Sequence, residues 1–209
     1  MSFDAGNDAL LRRLRHVLHP LDALPTGEGA NAPLMRAWFG IERFREAAVL
    51  IGLVPRADDW KVLLTLRNGG LRHHGGQVAF PGGARDPDDE DAIAVALRET
   101  REELAIPAAL VRPLGALDPM ATVSGFRVTP IVAWLDPTYV AKPDPHEVAD
   151  AFEVSLGALR DPGNLGQVEM TMGDGVRHVL EYRLPPSVSP HRIWGASAMM
   201  LDDLRQRLE

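Results

Sequence analysis

Three glutamates, Glu99, Glu102 and Glu103, stand close together in a segment predicted to be a helix over residues 88–104. At about 100° per residue, their side chains fall within an arc of about 100° on one helix face. Glu99 and Glu103 form a like-charge i,i+4 pair, which costs an isolated helix about 0.2–0.5 kcal/mol. Carboxylates without histidine or cysteine partners suit a hard cation such as Mg²⁺ or Mn²⁺. Taken alone, however, the pattern is more typical of a solvated acidic helix face.

A diglycine, Gly82-Gly83, precedes this helix at a predicted strand-to-helix junction. Because glycine allows the backbone to approach a phosphate or a metal ion closely, the diglycine favours a binding site over a solvated surface. Asp86 is the predicted N-cap of the helix, Pro87 occupies its first turn, and Pro107 stops it. The predicted apolar stripe of the helix consists of Ile93, Ala96, Leu97, Thr100 and Leu104.

The elements that must position these residues are predicted from hydrophobic periodicity and turn residues. A helix over residues 7–18 and a loop over Pro20–Pro33 belong to a helical lead-in, residues 1–40. Strands are predicted at residues 47–54, 60–67, 77–80, 111–117, 126–135, 167–172 and 177–182, and a closing helix at residues 194–208. Turns at residues 55–59 and 173–175 join two pairs of strands as hairpins. We therefore predict a single domain over residues 1–209, with an α/β core at residues 45–185 built on a mixed sheet.

The composition limits the classes of function. The chain has 209 residues, of which 45% are hydrophobic and 24% charged, and this is enough for a substantial core. A net charge of −7, from 22 Lys and Arg against 29 Asp and Glu, disfavours a general nucleic-acid binder. The absence of cysteine excludes disulfides, thiolate metal sites and cysteine nucleophiles. Because no signal peptide and no membrane span are found, we expect a cytoplasmic protein with no membrane partner and no nucleic-acid partner.

The run from Gly83 to Ile106 resembles the Nudix box. That motif has a glycine, five residues, a glutamate and seven residues before Arg-Glu-aliphatic-any-Glu-Glu-any-Gly-aliphatic. Arg98-Glu99 and Glu102-Glu103 stand where the motif requires them. The acidic helix face is therefore interpreted as part of a Nudix site.

The box departs from this motif at three places, and none of them removes a ligand. Six residues separate Gly83 from Glu90, so that either Asp89 or Glu90 fills the first acidic position. Thr100 replaces the aliphatic residue. Ala105 replaces the glycine at the helix end, where a left-handed alanine costs about 1 kcal/mol or shifts the cap.

The residues before the box resemble the extension found in coenzyme A pyrophosphatases, a Nudix subfamily. Residues 63–67 match Leu-Leu-Thr-any-Arg, and residues 71–83 match Leu-Arg-any-His-any-Gly-Gln-Val-Ala-Phe-Pro-Gly-Gly. Two further features are similar to that subfamily. The box is one residue longer than the general motif, and the run Ile-Trp-Gly-Ala stands at residues 193–196. The resemblance is strong over residues 63–106 and weaker elsewhere.

The resemblance implies a fold, a cofactor and a set of catalytic residues. The fold is α/β, the Nudix fold, in which a mixed β-sheet is sandwiched between α-helices (α/β/α). The cofactor is Mg²⁺ or Mn²⁺. The implied metal ligands are the three glutamates and a backbone carbonyl of the diglycine, namely Glu99, Glu102, Glu103 and Gly83. The same glutamates and Arg98 are the implied catalytic residues, with Arg98 orienting a carboxylate.

The substrate residues are implied in the same way. Arg67 and Arg72 are the candidates for phosphate contacts, because a guanidinium pairs with phosphate through two hydrogen bonds. His74 and Gln77 are candidates for substrate binding or for ordering the loop. Glu147 is a candidate general base, because in this superfamily the base also comes from later loops.

The implied reaction is hydrolysis of coenzyme A, or of its acyl or oxidised forms, to 4′-phosphopantetheine and adenosine 3′,5′-bisphosphate. Two alternatives stay open. The first is a Nudix hydrolase for another diphosphate, such as ADP-ribose, a dinucleotide or a damaged nucleotide. The second is a catalytically silent Nudix-fold binding module. The expected partner is a small-molecule substrate, and a homodimer is left open.

Overall fold

The apolar runs of the sequence form strands, and most of the segments with helical periodicity form helices. The computed structural model describes residues 5–57, 59–71, 74–172 and 175–209. In chain order the elements are α1 (Ala5–Val17), α2 (Ala32–Phe39), β1 (Arg45–Pro55), β2 (Trp60–Arg67), β3 (Val78–Ala79), β4 (Gly82–Ala84), α3 (Ala92–Leu104), β5 (Val111–Ala116), β6 (Met120–Ala121), β7 (Phe126–Leu135), β8 (Val148–Ser155), α4 (Leu156–Arg160), β9 (Leu165–Met172), β10 (Gly175–Tyr182), β11 (Ile193–Trp194) and α5 (Ala196–Arg207).

The main sheet is mixed, as predicted. Its strand order is β3-β2-β1-β7-β5, with β8 paired to β2, β4 to β1 and β6 to β7. The two longest apolar strands, β1 and β7, run parallel at the centre, in register from Arg45–Phe126 to Leu53–Trp134. The other pairs in this sheet are antiparallel. Continuous apolar sequence is typical of strands that are buried on both faces, and this explains why these two were recognisable.

Helices cover both faces of this sheet. On one face, α3 packs in a cluster that includes Leu50 and Leu63 of the sheet and Leu104 of the helix. On the other face, α1 and α5 pack in a second cluster around strand residues such as Ile51. The predicted α/β/α sandwich is therefore confirmed. None of the helices in the described part of the chain has the length and apolar character needed to cross a membrane.

Strand β1 pairs with two different strands along one of its edges. This change of partner brings the diglycine into the sheet beside β1. Near its end it pairs with β2 through the predicted hairpin, as in Leu53–Val62. Near its start it pairs with β4, as in Ala48–Gly83. The diglycine, predicted at a strand-to-helix junction, therefore lies in a short strand of its own. On the outer side of β2, strand β8 pairs Arg67 with Val148.

The helix that carries the glutamates begins later than predicted. It starts at Ala92, and its N-cap is Asp91, whose carboxylate accepts hydrogen bonds from the amides of Ile93 and Ala94 at 2.8 and 2.9 Å. The predicted cap, Asp86, lies outside the helix. The reason is tertiary, because Asp89 turns inward to an ion pair and keeps the preceding residues in a loop.

Other differences concern segments with weak periodicity. The lead-in contains the unpredicted helix α2, which begins inside the predicted loop. Strand β8 was not predicted, because its residues are mostly half-buried and show little alternation. The closing helix begins at Ala196 rather than at Trp194, because Trp194 pairs with Glu181 in a small sheet of order β11-β10-β9. The predicted β9–β10 hairpin is confirmed, and its turn residues 173 and 174 lie outside the described residues.

Candidate active site

The diglycine allows β4 to approach both its sheet neighbour and α3. A Cβ atom at Gly83 would overlap the carboxylate of Glu99, whose Oε2 would be 2.8 Å away. A Cβ atom at Gly82 would overlap the carbonyl of Ala48 and would lie 2.6 Å from the Cα of Val49. Gly82 is therefore required by contacts with the backbone, whereas glycine at position 83 leaves room for the carboxylate of Glu99. As a result, the backbone of β4 lies directly beside the acidic face of the helix.

Three carboxylates meet next to this strand. Glu99, Glu103 and Glu147 each offer an oxygen, and these oxygens all lie within 4.8 Å of one another. Glu103 is buried, with only 1% of its surface exposed, whereas Glu147 is exposed. Two members of the cluster come from the predicted helix face. The third, Glu147, is from its sequence only a candidate general base.

Backbone and side-chain hydrogen bonds fix Glu147 in this cluster. The amide of Asn68, directly after β2, donates to the carbonyl of Glu147 at 2.8 Å, and its side-chain amide donates to the carbonyl of Pro145 at 2.6 Å. The amide of Asp144 donates to the carbonyl of Glu103 at 2.8 Å. The turn that carries Glu147 is thus tied both to the strand end and to the helix end.

The cluster has little compensating positive charge. The Nη1 atom of Arg67 lies 3.5 Å from Oε1 of Glu103, and the amide of Gly82 donates to Oε2 at 3.3 Å. Burial raises the pKa of Glu103 to about 8, although Arg67 acts in the opposite direction. Burial also raises the pKa of Glu99, against the effect of Arg98. A set of hard oxygen donors that is short of positive charge fits a divalent cation.

Arg98 holds the other side of Glu99. Its Nη1 donates to Oε1 of Glu99 at 2.9 Å and to Oε2 of Glu102 at 3.1 Å. Its Nε and Nη2 donate to the carboxylate of Asp89 at 3.1 and 2.8 Å, and Nη2 also donates to the carbonyl of Ala84 at 3.0 Å. The hydrogen bonds from Arg98 lower the pKa of Asp89. Arg98 therefore orients a carboxylate and fixes the loop between β4 and α3.

These contacts distinguish the two candidates for the first acidic position of the box. Asp89 is buried and paired with Arg98, whereas Glu90 is exposed. Asp89 therefore fits the first acidic position. This assignment puts the one extra residue of the box between Asp89 and Arg98. Glu102, predicted as a metal ligand, is more than half exposed, contacts Arg98 and lies outside the cluster of three. Its assignment to the metal stays a prediction.

The predicted substrate residues occupy the end of β2 and the loop that follows. Arg67 faces the carboxylate cluster. His74 and Gln77 contact each other, with 3.0 Å between Nδ1 and Oε1, and His74 has a left-handed backbone with φ of 59°. This geometry fits the loop-ordering role, one of the two roles that the sequence predicts for the pair. Arg72 lies outside the described residues.

The two remaining departures from the motif are accommodated locally. Thr100 is fully buried, and its hydroxyl donates to the carbonyl of Ala96 at 2.7 Å, so that no polar group is left unpaired on the packed face. Ala105 keeps the left-handed cap, with φ of 55° and ψ of 28°, and its amide donates to the carbonyl of Arg101. The cap is therefore not shifted, and alanine carries the conformational cost.

Sequence reasoning missed two parts of this site. Asn68 stands directly after a strand and before two glycines, and an asparagine there carries only a general signal for a turn. The meeting of Glu147 with Glu103 depends on the pairing of β8 with β2, for which the sequence contains no local signal. Both residues are brought into the site by tertiary structure.

Comparison with known proteins agrees with this geometry. The pattern of the NUDIX domain family matches residues 44–172. Over 165 residues the chain is 38% identical to a protein named "Uncharacterized Nudix hydrolase NudL" from Photorhabdus laumondii, covering 79% of this chain and 86% of the relative. The protein of the same name from Citrobacter koseri is 40% identical over 161 residues, with 77% and 81% covered. The chain therefore belongs to the Nudix family.

A solved structure supports the fold. The NUDIX domain of Shewanella oneidensis NrtR, in complex with ADP ribose, matches with a TM-score of 0.51 at 16% sequence identity, covering 81% of this chain and 92% of that chain. The family match and the Nudix hydrolase relatives identify the protein as a pyrophosphohydrolase that acts on a nucleoside diphosphate derivative. Nudix hydrolases generally use divalent metal ions, and the carboxylate cluster is a suitable place for one.

Proposed function

We propose that this enzyme hydrolyses the diphosphate of coenzyme A or of its acyl or oxidised forms, releasing 4′-phosphopantetheine and adenosine 3′,5′-bisphosphate. The observation that carries the proposal is the resemblance of residues 63–83 to the coenzyme A pyrophosphatase extension. This block borders the carboxylate cluster. It begins in β2, which ends at Arg67 beside Glu103, and it ends at Gly83 beside Glu99. This proximity to the carboxylate cluster supports the proposal.

The proposed cation site is formed by Glu99, Glu103 and Glu147, with the carbonyl of Gly83 as a further ligand. Mg²⁺ or Mn²⁺ fits these oxygen donors, and when bound it neutralises charge on the diphosphate and lowers the pKa of the attacking water. Glu102 is proposed as an additional ligand on the strength of the motif. Glu147 is thereby assigned to the cation rather than to the general-base role.

The protein's own side chains supply orientation and binding. Arg98 keeps the carboxylate of Glu99 turned toward the cluster by its hydrogen bond of 2.9 Å. Arg67 is proposed to contact a phosphate oxygen, because its guanidinium is at the cluster and is partly exposed. Arg72 is proposed for the same role. His74 and Gln77 are proposed to keep the loop between these arginines and the diglycine in its binding conformation.

A substrate panel tests the proposal. Purified protein with Mg²⁺ or Mn²⁺ is offered coenzyme A, an acyl coenzyme A, oxidised coenzyme A, ADP-ribose and a dinucleotide. We expect the highest kcat/KM for a coenzyme A form, with adenosine 3′,5′-bisphosphate as product. Faster turnover of ADP-ribose would contradict the substrate assignment. Binding without turnover of any compound would support a silent binding module instead.

The role of Glu102 is tested separately. The substitution Glu102→Gln is expected to abolish metal-dependent turnover while leaving the circular dichroism spectrum and thermal midpoint close to those of the parent, because Glu102 is exposed. Turnover equal to that of the parent would remove Glu102 from the metal site. The three clustered carboxylates would then be the complete set of glutamate ligands.

A further inference from the structure

Glu147 joins the carboxylate cluster from a turn at the surface, residues 144–147. Its side chain is exposed, whereas Glu99 and Glu103 stand on a helix that packs against the sheet. Packing therefore does little to fix Glu147, and the backbone of the turn must hold it beside the other two carboxylates. Ligands that are in place before a cation arrives bind it more tightly, because less conformational freedom is lost on binding. The residue that fixes this turn therefore matters to the cation site.

Asp144 fixes the turn through both its backbone and its side chain. Its carbonyl accepts hydrogen bonds from the amides of Glu147 at 3.0 Å and of Val148 at 2.8 Å. Its carboxylate oxygen Oδ1 accepts a hydrogen bond from the amide of His146 at 2.9 Å. At the same time, its amide donates to the carbonyl of Glu103 at 2.8 Å. One residue thus connects the end of α3 to the turn that carries Glu147.

The sequence of the turn favours this arrangement. Residues 144–147 are Asp-Pro-His-Glu, and aspartate at the first position with proline at the second is typical of a tight turn. Two other Asp-Pro turns have the same hydrogen bond, because Oδ1 of Asp136 accepts from the amide of Thr138 at 2.9 Å and Oδ1 of Asp161 accepts from that of Gly163 at 2.8 Å. Both of these turns lie outside the carboxylate cluster, so they serve as internal references.

We infer that Asp144 is a positioning residue for the cation site and that it acts through Glu147. The inference rests on the cation site that forms part of the proposed function. The side chain of Asp144 serves the turn as a hydrogen-bond acceptor, and its negative charge is not needed for this role. Asparagine at position 144 keeps an acceptor oxygen in the same place, whereas alanine loses it.

The Mn²⁺ affinity of the protein, measured by titration calorimetry, tests this role without depending on turnover. We expect Asp144→Ala to weaken Mn²⁺ binding by about tenfold, the lower range for residues that orient a metal ligand, and Asp144→Asn to remain within about twofold of the parent. Asp161→Ala is the matched control, because it removes the same hydrogen bond from a turn outside the cluster and should leave the affinity unchanged. Because these turns are at the surface, the thermal midpoints should stay close to that of the parent.

A double substitution shows whether Asp144 acts through Glu147. Glu147→Gln is expected to weaken Mn²⁺ binding, and adding Asp144→Ala to this variant should cause no further loss. Unchanged affinity in Asp144→Ala, an equal loss with and without Glu147→Gln, or a loss in Asp144→Asn as large as that in Asp144→Ala would overturn the positioning role and leave the proposed function intact. Unchanged affinity in Glu147→Gln would instead overturn the proposed cation site.

Discussion

The carboxylates on and around the acidic face of α3 form a first and a second end that differ in how closely an arginine pairs with them. At the first end, the guanidinium of Arg98 contacts several carboxylates and a carbonyl, and it lowers the pKa of Asp89. At the second end, three carboxylates lie within 4.8 Å of one another, and Arg67 reaches Glu103 only at 3.5 Å. There burial raises the pKa of Glu103 to about 8.

The contacts of Arg98 have a structural role, whereas the carboxylate cluster is suited to chemistry, although the same helix carries residues of both. At the first end Arg98 donates hydrogen bonds at 2.8–3.1 Å to three carboxylates, so its contacts hold the loop after the diglycine in place. At the second end the contacts with arginine are fewer, and a cation from solution is the natural complement of its oxygen donors. Glu99 takes part in both, because Arg98 orients it and its carboxylate joins the cluster.

Apart from the motif-based test of Glu102, the largest effect is expected from neutralising the buried carboxylate of the second end. Glu103→Gln should lower kcat/KM by at least about 100-fold, the upper range for substitutions that act around a metal rather than on its ligands. The control is Glu90→Gln, because Glu90 is an exposed box residue outside the cluster. Steady-state kinetics at saturating Mn²⁺ measure both. Comparable activity in the two variants would contradict the distinction between the ends.

Removal of the arginine of the first end should mainly affect stability. Arg98→Ala leaves the buried carboxylate of Asp89 without its partner, and we expect it to lower the free energy of unfolding by about 2–4 kcal/mol. Arg101→Ala, at an exposed position on the same helix, should change it by less than about 0.5 kcal/mol. Urea unfolding measures both. A loss of activity with unchanged stability would show that Arg98 acts in chemistry instead.

A smaller effect is expected from loosening the turn that carries Glu147. Asn68→Ala removes the hydrogen bond of 2.6 Å to the carbonyl of Pro145, and it should weaken Mn²⁺ binding by about tenfold. Asn164→Ala is the matched control, because its side-chain amide donates to the carbonyl of Ala158 at 3.0 Å, outside the cluster. Calorimetric Mn²⁺ titrations compare the variants. Equal affinities would indicate that Glu147 does not depend on this tether.

The smallest effect concerns the helix cap two residues after Glu103. Ala105→Gly should raise the free energy of unfolding by about 1 kcal/mol, because glycine adopts the left-handed conformation at φ of 55° without the cost that a Cβ atom imposes. The kinetic constants should not change, since the cap position itself is already correct. Thermal and urea unfolding provide the measurement. A loss of stability would mean that the methyl group of Ala105 makes a contact that outweighs its strain.

Much of the fold could be predicted because strands that are buried on both faces consist mainly of apolar residues. Strands β1, β2 and β7 appear as long apolar runs, and their predicted bounds agree with the structure to within two residues. The start of α3 could not be predicted in this way. Asp86 and Asp91 are both good N-caps, and the choice between them depends on Asp89, which turns inward to Arg98. Strand β8 is half-buried and has no clear period.

The site was predictable where its residues are close in sequence. The glutamates of α3 follow the diglycine after a loop and the first turns of the helix, so the diglycine and the resemblance to the Nudix box indicated that they belong together. Glu147 and Asn68 were not recognisable as a unit, because their contact exists only after β8 pairs with β2. Helical spacing also could not indicate that Glu102 contacts Arg98 rather than the cluster.

The most direct test of the account is the position of Mn²⁺ in crystals soaked with this ion, located by its anomalous scattering. We predict a peak within about 2.5 Å of carboxylate oxygens of Glu99, Glu103 and Glu147. Saturating Mn²⁺ that leaves these three carboxylates without a peak, or a peak held by other residues alone, would contradict the claim that this cluster is the catalytic cation site.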